Sequence, residues 1–482
     1  MERGDPENKA GYKKIRYACA QAVRHGFHYT WIDTCCIDKS SSAELSEAIN
    51  SMYSWYRQAE VCYAYLADVP ANVDTKTMDS AFAKSRWFTR GWTLQELIGP
   101  SSLIFFSNDW IELGLKWDLQ DILSKITGID ADILTGMKDI ETASVAKRMS
   151  WASDRATTRV EDIAYCLMGL FSVNMPMLYG EGDKAFIRLQ EEIMKHSDDQ
   201  SLFAWTDPTA PPYSWHGLLA KSPADFAYSE GVIPYPDWEP RAPFAITNKG
   251  LCISLRLAHH KGYTYIAALN CTSRPDYEGF LGIYLRRFPT SDHQYARVDP
   301  RSFLRVCSAG SIETVYVRQS ILAPEFRGIY PQHTCQLRNG PAQEAGYQLI
   351  HVMSPVSNKD APAPIYPSCA PSWIPPGMPF TFKISKGTSR LAGALFLKAD
   401  GGEGLIVMLG SKMNFGFAFD VAFTSKTKTF EELARSFRPT PPGTTIVSKT
   451  FRLHVDSESM VSLGTMCYMI DIAIEPIYRS QI

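Results

Sequence analysis

FHYTWIDTCCIDKSSSAELSEAINSMYSWYRQAEVCYAYLADV, residues 27–69, changes its hydrophobic period twice. Its first part, 27–37, is a short apolar and aromatic run that reads as a buried strand. Residues 39–59 then follow a helical period. Ser42 is placed to cap the start, and Leu45, Ile49, Met52, Tyr53 and Tyr56 make one apolar face. Residues 61–69, VCYAYLADV, read as a second strand. Working downstream, 82–98 is helical and is stopped by Gly99-Pro100, and SLIFFS at 102–107 is a strand again. Strand, helix, strand, helix, strand with short connections predicts an α/β parallel sheet covered on both faces.

Upstream, Ile15, Cys19, Ala22 and Val23 recur at helical spacing. Residues 115–205 read as mostly helical, most clearly at 181–197, where Ala185, Phe186, Leu189 and Ile193 line one face. After 216 the period becomes that of strands. The runs at 250–257, 263–270, 279–287, 391–399, 404–409, 415–423, 450–455 and 467–474 predict a β-rich, sandwich-like or barrel domain. Two composition shifts punctuate the chain: TDPTAPPYSW at 206–215, and 355–379 with eight prolines in 25 residues, read as a loop. The expected domains are 11–113 (α/β), 114–205 (helical) and 216–482 (β-rich, interrupted by the loop at 355–379).

The 49 basic and 51 acidic side chains leave a net charge of −2, so no basic field exists to hold a nucleic-acid backbone. Apolar content of 45% and charged content of 21% are ordinary for a globular chain. No apolar run reaches the ~18–20 residues that span a bilayer. The opening MERGDPENKAGYKK has no signal-peptide core. Eleven scattered cysteines with no C-x-x-C pair point to free thiols in a reducing, cytoplasmic setting.

The runs 31–66 and RGWTLQEL (90–97) resemble two signature blocks of the fungal heterokaryon-incompatibility (HET) domain. The pattern R-x-T-T-R-x-E-D-x-A-Y-C-L-M-G-L-F at 155–171, MLYGEGDKAFIRLQEEI at 177–193 and SLFAW at 201–205 resemble the segment that often follows it. LLAKSPADFAYS (218–229) and FAITNKGLCISLRL (244–257) resemble the C-terminal region of such proteins, so the resemblance spans about residues 11–300. It implies a role in vegetative incompatibility, a form of fungal innate immunity in which non-self recognition ends in programmed cell death. It also implies a TIR-like or flavodoxin-like parallel sheet, protein partners that include HET–HET self-association, and NAD as a substrate rather than a resident cofactor. Family members usually open with an L-S-H/Y-x-W-G block, which the residues before Trp31 do not match. The resemblance therefore implies a sheet lacking its first strand and admits a truncated, inactive relative.

SRWFTRGWTLQELI (85–98) is similar to the S-x-W-C-L-x-E-L stretch of TIR domains, with Trp92, Leu94, Glu96 and Leu97 on the matching positions. The resemblance implies that Glu96 is catalytic. A carboxylate beside a ribose can stabilise the oxocarbenium-like charge that develops as the nicotinamide bond breaks. The competing reading is a helix glutamate paired with Arg90, with Trp92 in the core. Asp33 and Asp38, flanking the first strand's end, are candidates for substrate contact, with Arg90 and Trp92 beside them; turn chemistry would explain Asp38 equally. Glu44 would complement a helix dipole. Cys35-Cys36 lacks a histidine partner, and the Tyr179–Gly182 loop is either a phosphate cradle or a structural turn. Arg155, Thr158, Arg159, Glu161 and Asp162 read as a buried salt-bridge network between domains. No metal site is expected.

Overall fold

The computed structural model describes residues 11–210, 214–235, 242–261, 264–273, 279–288, 293–306 and 310–319. Beyond these it describes 332–338, 348–353, 365–367, 380–385, 391–398, 404–411, 417–424, 430–441, 443–447, 451–462 and 465–476. The architecture is mixed α/β with a β-rich C-terminal region. The chain divides into two compact units. One comprises Met1–His259, Thr264–Phe288 and His293–Gln319; the other comprises His260–Tyr263, Pro289–Asp292 and Ser320–Ile482.

The first unit opens with helix α1 (Tyr12–Arg24) and helix α2 (Ser42–Gln58). A small sheet follows, in the order β1 (Cys62–Tyr65), β2 (Leu103–Phe106), β3 (Glu112–Leu115). β1 and β2 are parallel, with Cys62 opposite Leu103 and Tyr65 opposite Phe106; β3 is antiparallel to β2. All four residues of β2 are buried, as a strand covered on both faces requires. Leu103 and Phe105 join Leu94, Leu97 and Trp87 on one side, while Ile104 and Phe106 meet Ala18, Ile32 and Trp110 on the other.

The segment 27–37 is not a strand. The Ile32 carbonyl accepts the N–H groups of Cys35 (3.1 Å) and Cys36 (2.9 Å), which closes a turn. Buried Ile32 and Ile37 anchor this turn in two separate clusters, one with Ala18 and Ile104, the other with Ala48 and Met52. A short apolar run has no period that separates a strand from an anchored turn, and here local bonds satisfy the backbone. The cap of α2 is Ser41, one residue earlier than expected; its side chain accepts the Glu44 N–H. The helix expected at 82–98 is two pieces, a 3-10 turn at Arg86–Thr89 and α3 (Thr93–Ile98). They are separated where Gly91 donates its N–H to the Ala156 carbonyl.

Five further helices follow: α4 (Gln120–Thr127), α5 (Ala131–Leu134), α6 (Val145–Ser150), α7 (Asp162–Tyr165) and α8 (Lys184–His196). α8 buries Ala185, Phe186, Leu189 and Ile193, the face read from its period. Next come β4 (Trp215–His216), β5 (Val232–Pro234), β6 (Ala245–Thr247), β7 (Gly250–Lys261), β8 (Thr264–Leu269) and β9 (Cys271–Ser273). β10 (Phe280–Arg287), β11 (Gln294–Val298), β12 (Leu304–Val306) and β13 (Ser311–Val317) complete the unit's strands. Their order, β12-β10-β8-β7-β13-β11-β4, has an additional β10–β11 pairing, so the five strands from β10 round to β11 close on themselves. This part is a small closed barrel rather than an open sandwich face, and closure removes exposed edges. Leu251, Ile253, Leu255, Ile283, Leu285, Val315 and Val317 from these strands join the unit's main core.

Arg297 on β11 is 1% exposed. Its two terminal nitrogens donate to the Phe203 and Trp205 carbonyls, and its guanidinium lies 3.9 Å from the Trp205 ring centroid. Burial pushes its pKa down to about 9. Arg297→Lys keeps the cost of a buried charge but loses the two-pronged donor. The expected loss is about 2–3 kcal/mol in the urea-unfolding free energy, the size of one buried carbonyl left unpaired; a loss below about 0.5 kcal/mol would show that the fork carries no weight.

The second unit holds a six-stranded sheet, in the order 365–367, 380–385, 332–338, 465–476, 451–462, 444–447. It also holds a four-stranded sheet, in the order 348–353, 391–398, 404–411, 417–424. Every strand expected after 216 falls on an observed one. Of the proline-rich stretch 355–379, residues Ile365–Pro367 form an edge strand, where a missing N–H is tolerated. The rest of that stretch lies outside the described residues. No helix among the described residues is long and apolar enough to cross a membrane.

Candidate active site

A cavity of about 330 Å³ lies beside β1 in the first unit. α1 contributes Lys14 and Ala18, and the 27–37 turn contributes Trp31 and Asp33. α2 contributes Trp55 and Tyr56, β1 contributes Cys62 and Tyr63, and α3 contributes Glu96. The helical period of α2 explains its share: Tyr56 belongs to the inward face, and Trp55 stands at its margin, 38% exposed.

Glu96 and Asp33, singled out from the sequence, line this one cavity. Burial holds the Glu96 carboxyl above its ordinary value, and Asp33 pushes in the same direction; Lys14, Arg90 and Arg155 pull the other way. Tyr56 lines the cavity with Glu96, and its own pKa is raised by burial, then by the charges of Glu96 and Asp33. Cys62 is pushed up to about 12 by burial and by Glu96, so it is a neutral thiol at physiological pH. Behind α3, Lys116 is 3% exposed and donates to the Leu97 and Pro100 carbonyls. Burial lowers it to about 8. It closes the C-terminal end of the helix that carries Glu96. Sequence reasoning did not single out Lys14, Trp31, Trp55 or Lys116 for the site, and it placed Tyr56 only in a packing face. The one available signal was the concentration of aromatic residues on both sides of 33–55.

The other sequence candidates lie elsewhere. Asp38 is exposed; its Oδ1 accepts the Ser40 N–H and hydroxyl, while its own N–H donates to Glu44. Those bonds hold its carboxyl below the usual range. Arg90 has an exposed side chain, and its carbonyl accepts from Arg155 (2.9 Å) and Thr93 (2.9 Å). Among the described residues no ion pair joins Arg90 to Glu96. Trp92 donates its indole N–H to Asp162 (3.3 Å) and packs against the core. Aromatic walls of the cavity are instead supplied by Trp31, Trp55 and Tyr56, among others.

The cluster at 155–162 is not a salt-bridge network. Arg155 is 7% exposed and caged by the Trp151 and Arg90 carbonyls and the Thr93 hydroxyl, with burial lowering it to about 10. Arg159 lies over the Tyr179 ring at 4.3 Å, and Asp162 accepts from Trp92 and Tyr179. The glycine loop is a structural turn. Gly180 (φ +103°) and Gly182 (φ +59°) aim their N–H groups at one oxygen of Glu161, at 2.8 and 3.1 Å. An internal carboxylate thus takes the place a phosphate would need. Its own backbone N–H and then those two bonds hold Glu161 below the usual carboxylate range. Such a group contributes stability above its unfolded value, and the contribution is lost as pH falls through the folded one. The Gly180 and Gly182 amides should therefore exchange faster below that range, and Glu161→Ala should make their exchange equally fast at neutral pH. Amide hydrogen exchange checks this; unchanged protection in the variant would contradict it.

Cys35 and Cys36 are exposed, with sulfurs 3.9 Å apart, and burial and Cys36 raise the Cys35 thiol. No group of three metal-binding side chains occurs among the described residues.

Residues 7–81 match the family model described as heterokaryon incompatibility protein (HET), and residues 184–237 match a domain of unknown function, DUF8212. Asp33, Trp55 and Tyr56 lie within the first match, and Glu96 lies beyond it. The chain is 46% identical over 215 residues to the vegetative incompatibility protein HET-E-1 of Podospora anserina. That match covers 43% of this chain and spans only 16% of that protein's length. Among solved structures, a mutated Xerocomus chrysenteron lectin aligns with 30% of this chain and 97% of its own, at 14% identity and a TM-score of 0.21. The wild-type lectin does so at 30% and 98%, 13% identity and a TM-score of 0.19. Scores this low carry no argument about fold.

Proposed function

We propose, for a chain that carries a fungal HET domain, a role in vegetative incompatibility, executed by cleaving the nicotinamide–ribose bond of NAD in the cavity beside β1. The observation that carries the chemical step is the placement of Glu96: a half-buried carboxyl that lines the cavity together with Tyr56 and Asp33. In such surroundings a negative charge acts on a developing oxocarbenium centre far more strongly than in water. Tyr56, Trp31 and Trp55 line the same cavity and give a ribosyl ring apolar surface to pack on. The HET resemblance and the TIR-like pattern around Trp92 and Glu96 support the same reaction. The test is expression in fungal cells, where wild type should kill and Glu96→Gln, made at equal level, should not. Killing by the variant would remove the catalytic reading.

A second reading is assembly through HET–HET contacts with protein partners. It is favoured by β1, which pairs with β2 alone among the described residues and so ends the sheet on an open edge. Killing by Glu96→Gln that is abolished by a proline at Tyr63 would select this reading.

A further inference from the structure

The cavity has the composition of a cation cage. Trp31 meets Trp55 edge-on, with centroids 5.2 Å apart at 64°, and meets Tyr56 at 5.8 Å and 87°. The three rings therefore meet edge to face at steep angles, and all three border the cavity. The charged lining is unbalanced: Asp33, Glu60 and Glu96 stand against Lys14, which is on the exposed side of α1. Aromatic faces attract cations through the ring quadrupole, most strongly when the cation is desolvated, and carboxylates add directly to that attraction. The same lining opposes an anion and does nothing special for a neutral ring.

We propose that this cavity binds a compact organic cation, held against Trp31, Trp55 and Tyr56 and neutralised by Asp33 and Glu96. The class includes N-alkylpyridinium rings, and a nicotinamide ring joined to ribose is one. Lys14, at the mouth, is placed to meet an anionic group trailing behind the cation. The inference deepens the reading above and rests on it only for the identity of the ring; the cage itself stands on the three aromatic rings and the charge balance.

The test is calorimetric titration of the purified full chain with 1-methylnicotinamide, methylated on the ring nitrogen and so a cation, and with nicotinamide, which has the same ring without the charge. The cation should bind roughly tenfold more tightly or better, the size of a desolvated cation–ring contact. Trp55→Leu, at a half-exposed position, should erase that preference while leaving the circular dichroism unchanged. Asp33→Asn should weaken the cation several-fold. Equal affinities for the two rings in the wild type would overturn the proposal, whether or not the variants fold. So would failure of the cation to bind, or a preference that survives Trp55→Leu in a folded chain. A chain that prefers the cation but does not cleave NAD keeps this inference and loses the catalytic one. A chain that cleaves NAD without preferring the cation does the reverse.

Discussion

Glu96→Gln is expected to give a folded chain, more heat-resistant at pH 7 than the wild type, in which NAD cleavage falls by at least about 100-fold. The loss follows from removing a charge aimed at a developing cation in a partly buried site, where one electrostatic group contributes roughly 100- to 1,000-fold. The gain follows from the direction in which burial moves Glu96. Its carboxyl is raised above the ordinary value of 4.5. Below that pH both folded and unfolded chains hold the proton, and no cost exists. As pH rises past it the unfolded chain ionises first, so the folded form loses relative stability until Glu96 itself has ionised. Glutamine never ionises and keeps the size and shape of the side chain. The variant's advantage in melting temperature should therefore be present at pH 7 and vanish near pH 4. A variant that melts earlier at pH 7 would show that Lys14, Arg90 and Arg155 outweigh desolvation.

Gly169→Ala is expected to destabilise the first unit by about 3 kcal/mol or more, the upper range of overpacking costs. A Cβ built on Gly169 would lie 2.2 Å from Cβ and 2.4 Å from Cγ of Tyr53 on α2. The clash is with the stem of a half-buried side chain, so no rotation relieves it. Trp55 and Tyr56 follow on the same helix, and a displaced α2 would move one wall of the cavity. Activity should fall with stability, even at temperatures where the variant stays folded. Gly11→Ala, where nothing lies within 4 Å, is the control and should stay within about 0.5 kcal/mol of wild type. Urea unfolding of the three proteins measures this; a Gly169→Ala loss under 1 kcal/mol would mean that α2 and the 168–171 turn are free to separate.

The parts of this fold legible in the sequence are those whose period is long. α2 and α8 repeat their apolar face over several turns, and the strands at 250–261 and 404–411 are long enough to mark themselves. The turn at 27–37 was misread because Ile32 and Ile37 are buried, as strand residues would be, while the bonds that make the turn lie in the backbone. Barrel closure was not legible, since pairing of β10 with β11 depends on register between strands and not on either strand alone. The same holds for Arg297 and Arg155, whose partners are carbonyls that any residue supplies. In the site, Glu96 could be named from the TIR-like pattern around it, and Asp33 from its place at the end of an expected strand, a premise the turn at 27–37 removes although Asp33 still lines the cavity. Lys14, Trp31 and Trp55 come to the cavity from separate elements, so only packing assembles them with Glu96.

The measurement that tests the central claim most directly is nicotinamide release from NAD by the purified full chain at high concentration, with Glu96→Gln run alongside. The account predicts steady release by the wild type and release at least about 100-fold slower by the variant, with both chains folded. Equal release from the two, or none from a folded wild type, would contradict it.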